Sequence, residues 1–173
     1  MTNTIGLFYG SDTGITEDIT NRLEKLWTLT PLDIHRIEDY TAEDFQKYDI
    51  LILGLSTWYY GELQSDWEDF FDQFKTIDFT GKTIALYGLG DQYGYDLYFV
   101  DGMGILGQVI LANGGTLIGY TSTETYDHEE SKAEIIDGMF CGLAIDDDNQ
   151  PKSTDVRLQN WVRQLEEELK DLV

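Results

Sequence analysis

Short apolar runs alternate with segments of helical period along this chain, and this alternation constrains the fold more than any other feature. Residues 5–9, 48–55 and 83–87 have the composition of strands that are buried on both faces. Residues 15–27 carry apolar side chains at helical spacing, and so does the segment that begins with Ser65. Strands that alternate with helices predict an α/β protein with a mostly parallel sheet covered by helices on both sides.

The remaining patterns fit the same scheme. A short helix is predicted to begin at residues 41–44, and further helices from about residue 97 to 112 and from near Ser153. Further strand segments are predicted at 32–37, 116–120 and 139–145. The last two segments are separated by a polar stretch. Because crossovers between parallel strands are right-handed, a doubly wound three-layer fold is favoured.

Size and composition predict one globular domain over residues 1–173. The chain has 173 residues, 42% of them hydrophobic, and it contains no linker-like or repetitive tract. No apolar run approaches the ~20 residues of a membrane span, and the first residues lack a signal-peptide pattern. Cys141 has no second cysteine to pair with, which is typical of a reducing compartment. We therefore expect a cytoplasmic protein that does not bind membranes.

The charge is strongly negative. The chain has 11 Lys and Arg against 33 Asp and Glu, which gives a formal net charge of −22 at pH 7. Nucleic acids and anionic membranes are bound by basic patches, so neither is expected as a partner. Between Lys47 and Lys132 the only Lys or Arg residues are Lys75 and Lys82. Two interpretations remain open, a solvated acidic surface and a docking face for basic partners.

In a sheet of this kind the ligand binds at the carboxyl ends of the strands, which directs attention to the loops after Tyr9, Leu55 and Tyr87. The first loop contains Ser11, Asp12, Thr13, Gly14, Ile15 and Thr16. It joins a strand to a helix, so its amides and hydroxyls form an anion site. Because it lacks both the Walker lysine and any other cation, it suits one terminal monophosphate. A turn that merely caps the helix is the alternative.

The second loop contains Ser56, Thr57, Trp58, Tyr59, Tyr60 and Gly61. Three adjacent aromatic residues predict a surface for a flat ligand, and packing between loops is the alternative. The third loop contains Gly88, Leu89, Gly90, Asp91, Tyr93 and Tyr95. Its glycines allow close approach of the backbone to a ligand, and its tyrosines offer a second stacking surface. Together the three loops predict a clamp for flavin mononucleotide (FMN).

Four segments carry a resemblance to a known family: GSDTGITE, STWYYGELQSDW, YGLGDQYGY and FCGLAIDDDNQP. They resemble successive signatures of a long-chain flavodoxin, and the similarity covers nearly the whole chain. The resemblance implies a five-stranded parallel sheet of order 2-1-3-4-5, whose last strand is interrupted by a long insertion between Tyr120 and Met139.

The resemblance also implies the residues that contact the cofactor. Residues 11–16 would hold the phosphate, Trp58 would cover one face of the ring, and Tyr95 the other. Backbone contacts would come from Thr57, Tyr59, Gly61, Leu89, Gly90 and Asp91, and Tyr98 completes the candidate set. Ile15, Ser56 and Leu89 depart from the usual family residues, which are Asn or Lys, Pro and Thr.

The implied function is that of a low-potential carrier with non-covalently bound FMN, shuttling mainly between semiquinone and hydroquinone. The implied partners are an NAD(P)H-dependent flavodoxin reductase or other basic redox proteins, and a monomer is expected. The main alternative is an FMN-dependent NAD(P)H or quinone reductase. A signalling receiver domain ranks last, because Leu55-Ser56 and Ile145-Asp146 stand where it needs Asp and Lys.

Several other features are predicted to be structural. The G-x-G-x-x-G pattern at 102–107 is interpreted as small residues in a packed helix, because it does not join a strand to a helix. The acidic run 146–149 lacks the Gly and Glu of a calcium loop. His35 and His128 are expected at the surface and Cys141 in the core. No catalytic triad or metal cluster is expected.

Overall fold

A parallel sheet forms the centre of the molecule. The structure is a computed structural model that describes residues 4–173. Met1, Thr2 and Asn3, which belong to the segment expected to lack a signal-peptide pattern, lie outside the described residues. The strands are β1 (Ile5–Tyr9), β2 (Leu32–Arg36), β3 (Ile50–Trp58), β4 (Glu62–Leu63), β5 (Thr83–Leu89), β6 (Thr116–Ile118), β7 (Thr121–Ser122), β8 (Met139–Phe140) and β9 (Leu143–Ile145). The helices are α1 (Ile15–Leu26), α2 (Ser65–Phe74), α3 (Asp101–Ala112) and α4 (Pro151–Leu169), with short 3₁₀ helices at Ile37–Asp39 and Ala42–Lys47.

The order of the strands confirms the predicted doubly wound fold. The sheet runs β2-β1-β3-β5, with parallel pairing throughout. β6 pairs with the beginning of β5 and β9 with its end, so these two strands share the fifth position. The last strand is therefore interrupted, as predicted. The short strand β4, which pairs antiparallel with the end of β3, was not predicted.

Two apolar cores lie on opposite faces of the sheet. Successive residues of a strand point to opposite faces. Leu7 and Ile52 accordingly pack in the core that contains residues of α1 and α4. Phe8 and Leu53 pack in the core that contains residues of α2 and α3. The sheet is thus the middle of three layers. No helix within residues 4–173 is both long enough and apolar enough to cross a membrane.

The insertion in the last strand is longer than predicted. Residues 139–145 were expected to form one strand segment, but β8 pairs antiparallel with β7 and only β9 joins the main sheet. The break falls at Cys141, whose amide donates to the carbonyl of Ala133 at 2.8 Å. The next residue, Gly142, lies so close to the Leu86 carbonyl oxygen that a Cβ there would be 2.1 Å from it. Only glycine permits this approach.

Several element boundaries differ from the prediction. α3 begins at Asp101 instead of about residue 97, because Val100 has a left-handed backbone with φ 48°. α4 begins at Pro151, a residue type suited to the first helical turn. The N-cap of α2 is Gln64, and Ser65 is the first helical residue. β3 and β5 continue through Trp58 and Leu89, so they extend into the second and third loops.

The prediction that both histidines lie at the surface is wrong. The side chain of His128 is only 4% exposed and its Nε2 lies 2.7 Å from Glu134. Its ring is 5.2 Å from the rings of both Phe99 and Phe140. His35 is half-buried, with Nε2 3.0 Å from the Tyr48 hydroxyl. With Nε2 partnered, each imidazole packs among other aromatic rings, and this was not visible in the local sequence.

The interpretations of the glycine pattern and of Cys141 are confirmed. The glycine pattern 102–107 lies inside α3. Gly104 lies against the insertion, where a Cβ would be 2.3 Å from the carbonyl carbon of Lys132. Cys141 is fully buried, and burial raises the pKa of its thiol to about 12.

Candidate functional site

A cleft opens at the carboxyl ends of the central strands. Residues of all three predicted loops line it. From the predicted set, the lining residues are Asp12, Thr13, Ile15, Thr16, Ser56, Thr57, Trp58, Tyr59, Leu89, Gly90, Asp91 and Tyr95. The position is the one where ligands bind in doubly wound sheets.

The first loop presents unpaired backbone amides to the cleft. Gly14 is the N-cap of α1, with φ 88°, and its amide donates to the Ser11 hydroxyl at 3.1 Å. No side chain caps the helix. Among residues 4–173, the amides of Ile15, Thr16 and Glu17 have no hydrogen-bond acceptor. Such amides, with the positive end of the helix dipole, bind anions.

Asp12 brings a negative charge to the same loop. Its Oδ1 accepts hydrogen bonds from the Ser65 hydroxyl at 2.6 Å and from the Gln64 side-chain amide at 3.0 Å. Burial raises the pKa of Asp12, but the hydrogen bonds from Ser65 and Gln64 outweigh it and hold the pKa below its usual value. The carboxylate is therefore ionised at neutral pH and directed to the beginning of α2.

The second loop is a tight turn between β3 and β4. Trp58 pairs with Glu62, which leaves Tyr59, Tyr60 and Gly61 to make the turn. Tyr59 and Gly61 have left-handed backbones, with φ 46° and 88°. Thr57 fixes the base of the turn to α3, since its hydroxyl accepts from the Gly102 amide at 2.9 Å.

Trp58 carries a buried donor that the protein does not use. Within residues 4–173 its indole N–H has no hydrogen-bond partner of normal geometry. Of the interactions that lower the pKa of the nearby Asp12 carboxylate, the one with this N–H is the weakest. A buried N–H without a partner is costly, so a ligand with oxygen acceptors fits this position.

The third loop is held by Asp91. Its Oδ1 accepts from the amides of Tyr93 and Gly94 at 3.0 and 2.7 Å and from the Asn149 side chain at 2.8 Å. Burial raises the pKa of Asp91, but these hydrogen bonds together outweigh burial and hold the pKa below its usual value. Tyr95 lines the cleft. Tyr93, which was expected to offer a stacking surface too, does not line the cleft and donates its hydroxyl to Asp127 at 2.6 Å.

A fourth segment, which sequence reasoning did not assign to the site, also lines the cleft. Asp147 and Asp148 lie just after β9, separated from it by Asp146, and contribute two further carboxylates. Burial, with the charges of Asp146, Asp91 and Asp147, raises the pKa of Asp148. Their position after a strand of the parallel sheet was the signal that could have identified them. Within residues 4–173 no Lys, Arg or His lines the cleft.

The other predicted site residues lie outside the cleft lining. Ser11 and Gly14 shape the first loop by hydrogen bonding to each other. The ring of Tyr60 contacts that of Tyr98 edge-on, with 5.7 Å between centroids. Gly61 rests on Asp101, and Gly88 packs on Met103 inside the sheet. No group of three or more His, Cys, Asp or Glu residues in the described part of the chain is arranged to hold a metal ion.

Comparison with known proteins gives the family. A family model described as flavodoxin matches residues 7–172, nearly the full length. The chain belongs to the flavodoxin family. A flavodoxin of Klebsiella pneumoniae is 47% identical over 165 residues, which cover 95% of this chain and 94% of the relative. Flavodoxin 1 of Escherichia coli K12 is 47% identical over 164 residues, or 95% of this chain and 93% of the relative.

A solved structure is similar as well. Fusobacterium nucleatum flavodoxin bound to flavin mononucleotide has a TM-score of 0.89 and 32% identity, with 95% of this chain and 98% of that chain covered. The predicted family is confirmed. Flavodoxins are electron-transfer carriers that act with redox partner proteins, and they are not enzymes. Both the reductase and the receiver-domain alternatives are thereby set aside.

Proposed function

We propose that this chain, as a single domain over residues 1–173, is a low-potential one-electron carrier that uses non-covalently bound FMN. The observation that carries the proposal is one cleft that combines unpaired amides at the beginning of α1 with the rings of Trp58 and Tyr95. The FMN-bound flavodoxin of F. nucleatum, similar over almost the whole chain, supports the same cofactor.

The residues of the cleft fit FMN. The amides of residues 15–17 supply donors for a phosphate without a lysine, and the hydroxyls of Thr13 and Thr16 can add hydrogen bonds. The buried N–H of Trp58 suits a phosphate or ribityl oxygen. Indole and phenol rings at the cleft suit a planar ring system. Bound FMN would supply one-electron redox chemistry.

The charges of the cleft favour a low potential. Asp12, Asp91, Asp147 and Asp148 line it, with no positively charged side chain among the lining residues that the structure describes. Such surroundings disfavour additional negative charge on a ring bound in the cleft, because like charges repel in a partly desolvated site. A ring that gains negative charge on reduction would be destabilised in its reduced form, which makes that form a strong electron donor.

The experiment is analysis of the purified protein. We expect a yellow protein that releases one FMN and no FAD on acid treatment, as chromatography shows. Stepwise anaerobic reduction should give two separated one-electron couples, and direct oxidation of NAD(P)H by the pure protein should be slow. Recovery of FAD, a colourless protein that takes up no FMN, or rapid turnover with NAD(P)H would each overturn the proposal.

We further propose that it works as a cytoplasmic monomer with an NAD(P)H-dependent flavodoxin reductase or other basic redox proteins. The net charge of −22 supports basic partners over nucleic acid or membranes. Light scattering after gel filtration tests the monomer, and fractionation of the source cells tests the compartment.

A further inference from the structure

Gln64 is a buried polar residue that connects two sides of the cleft. Its relative exposure is 0%. The Nε2 amide donates to Oδ1 of Asp12 at 3.0 Å and to Oδ2 of Asp66 at 2.9 Å, while Oε1 accepts from the Trp67 amide at 3.3 Å. Its backbone amide donates to the carbonyl of Ser56 at 3.2 Å. One residue thus joins the first loop, the end of β3 and the beginning of α2.

The space for this side chain depends on Gly10, the residue that begins the first loop. A Cβ at this position would be 1.9 Å from Oε1 of Gln64 and 3.0 Å from Cδ1 of Trp67. The amide therefore lies directly against the backbone where the loop leaves β1. Fully buried amides persist when both ends have partners, and Gln64 meets that condition.

The first loop has an electrostatic conflict that Gln64 is placed to resolve. The loop contains no Lys or Arg, yet Asp12 lines the same cleft as the unpaired amides of α1. A carboxylate and a phosphate near each other repel. Both α1 and α2 present the positive end of a helix dipole here. Hydrogen bonds from Gln64 and Ser65 hold Asp12 at the beginning of α2.

We propose that Gln64 is a positioning residue for phosphate binding. It holds the carboxylate of Asp12 on α2 and leaves the beginning of α1 to the phosphate of the ligand. The inference rests on the proposed function, since it assumes that a phosphate-bearing flavin occupies the cleft. It predicts that Gln64 affects binding of the phosphate more than binding of the ring.

The variant Gln64→Glu tests this prediction when its affinity for FMN is compared with its affinity for riboflavin, which lacks the phosphate. At about pH 8 the new carboxylate faces Asp12 and Asp66, and Glu62 and Glu68 lie near Asp12 around a shallow neighbouring cleft. We expect FMN affinity to fall at least about tenfold, by analogy with lost hydrogen bonds to charged groups. Riboflavin affinity should fall less than about threefold, since the ring contacts remain.

The pH dependence adds a readout that a purely structural role would not change. Burial and the facing carboxylates raise the pKa of the substituted glutamate, so it gains a proton as the pH falls. The protonated side chain can again donate to Asp12. The deficit in FMN affinity relative to wild type should therefore shrink as the pH falls toward about 6. Because the second pKa of the phosphate is itself about 6, wild type is measured at each pH as the reference.

A double-mutant cycle decides the matter even if Gln64→Glu does not fold. Gln64→Met removes the donor without adding charge, and Asp12→Asn removes the charge that is held. We expect Gln64→Met to reduce the preference for FMN over riboflavin severalfold in the wild-type background and by at most about twofold with Asp12→Asn. Equal losses for both flavins in both backgrounds would show that Gln64 only caps α2. A wild-type apoprotein that binds neither FMN nor riboflavin would instead overturn the proposed function.

Discussion

Trp58 and Tyr95 are the two aromatic residues whose removal should weaken FMN binding most directly. Both line the cleft, on different loops. Trp58→Ala and Tyr95→Ala should each cost roughly 1–3 kcal/mol of binding free energy, from lost stacking and burial. Titration of apoprotein with FMN by fluorescence quenching measures this. Tyr60→Ala is the control, since Tyr60 is 74% exposed and lies outside the cleft lining. Equal effects of all three substitutions would contradict this assignment of the rings.

The turn at Tyr59 and Gly61 makes a prediction about stability. Tyr59 has φ 46°, a conformation that costs a residue with a side chain about 1–2 kcal/mol, so Tyr59→Gly should stabilise the apoprotein by up to about 1 kcal/mol after the entropy of glycine is counted. Gly61→Ala should destabilise it by roughly 1–3 kcal/mol, because φ is 88° and the new Cβ would lie 2.8 Å from Oδ2 of Asp101. Urea unfolding measures the free energy of unfolding of both variants. Changes of the same sign in the two variants would rule out this account of the turn.

Asp101 predicts a specific dependence of stability on pH. It is buried, and burial raises the pKa of its carboxyl, while the Lys132 amide donates to Oδ1 at 2.8 Å. Because the pKa is higher in the folded than in the unfolded chain, ionisation costs stability as the pH rises through the ordinary aspartate range, and the full cost applies above the raised pKa. Asp101→Asn keeps an acceptor for Lys132 and removes the charge.

We therefore expect Asp101→Asn to be more stable than wild type at neutral pH, with a difference that shrinks as the pH falls below the raised pKa. Denaturant unfolding between about pH 4 and 8 measures both proteins under the same conditions. A constant difference across this range would indicate that packing, and not ionisation, separates them.

Helix α3 and the insertion are joined by a close contact at Gly104, and two glycines of the same helix test it. A Cβ at Gly104 would lie 2.3 Å from the Lys132 backbone, whereas at Gly107 the closest atoms, Sγ of Cys141 and Cδ1 of Ile135, are 3.1 Å away. Alanine in a helix gains about 1 kcal/mol over glycine. We expect Gly107→Ala to remain within about 1 kcal/mol of wild type, and Gly104→Ala to lose roughly 1–3 kcal/mol from overpacking. Thermal unfolding compares the stability of the two variants. Equal stability would mean that the insertion moves away from a Cβ at Gly104 at little energetic cost.

The strand and helix boundaries show where local pattern was sufficient. β1 and the beginning of α1 lie where apolar period and the Gly14 turn indicated. The end of β3 was placed too early because the polar residues Ser56 and Thr57 follow the apolar run, although residues 56–58 continue the strand by pairing with β5 and β4. Pairing across the sheet, not local propensity, determines where such a strand ends.

The acidic charge makes a prediction about partner association. Glu62, Glu68 and Asp69 are exposed on β4 and α2 and do not line the flavin cleft. Electron transfer with a basic reductase should slow as salt rises above ~0.1 M, where the Debye length is about 10 Å. Glu62→Gln, Glu68→Gln and Asp69→Asn combined should flatten that dependence and leave FMN affinity nearly unchanged.

Stopped-flow rates across a salt series make the comparison. The matched control is Glu24→Gln, Asp49→Asn and Asp171→Asn, which removes equal charge from exposed positions at the opposite end of the sheet. If the two triple variants behave alike, net charge and not a docking face governs association.

The sequence by itself determined the layered α/β fold, the order of its elements and the loops that converge on the cleft. These follow from periods of two and 3.6 residues, from right-handed crossovers and from the rule that carboxyl ends of parallel strands share an edge. The tertiary structure alone decided that Gln64 holds Asp12 and that His128 is buried. Each depends on contacts between segments far apart in the chain, and the burial and hydrogen bonds that such contacts create have no signature in the local pattern.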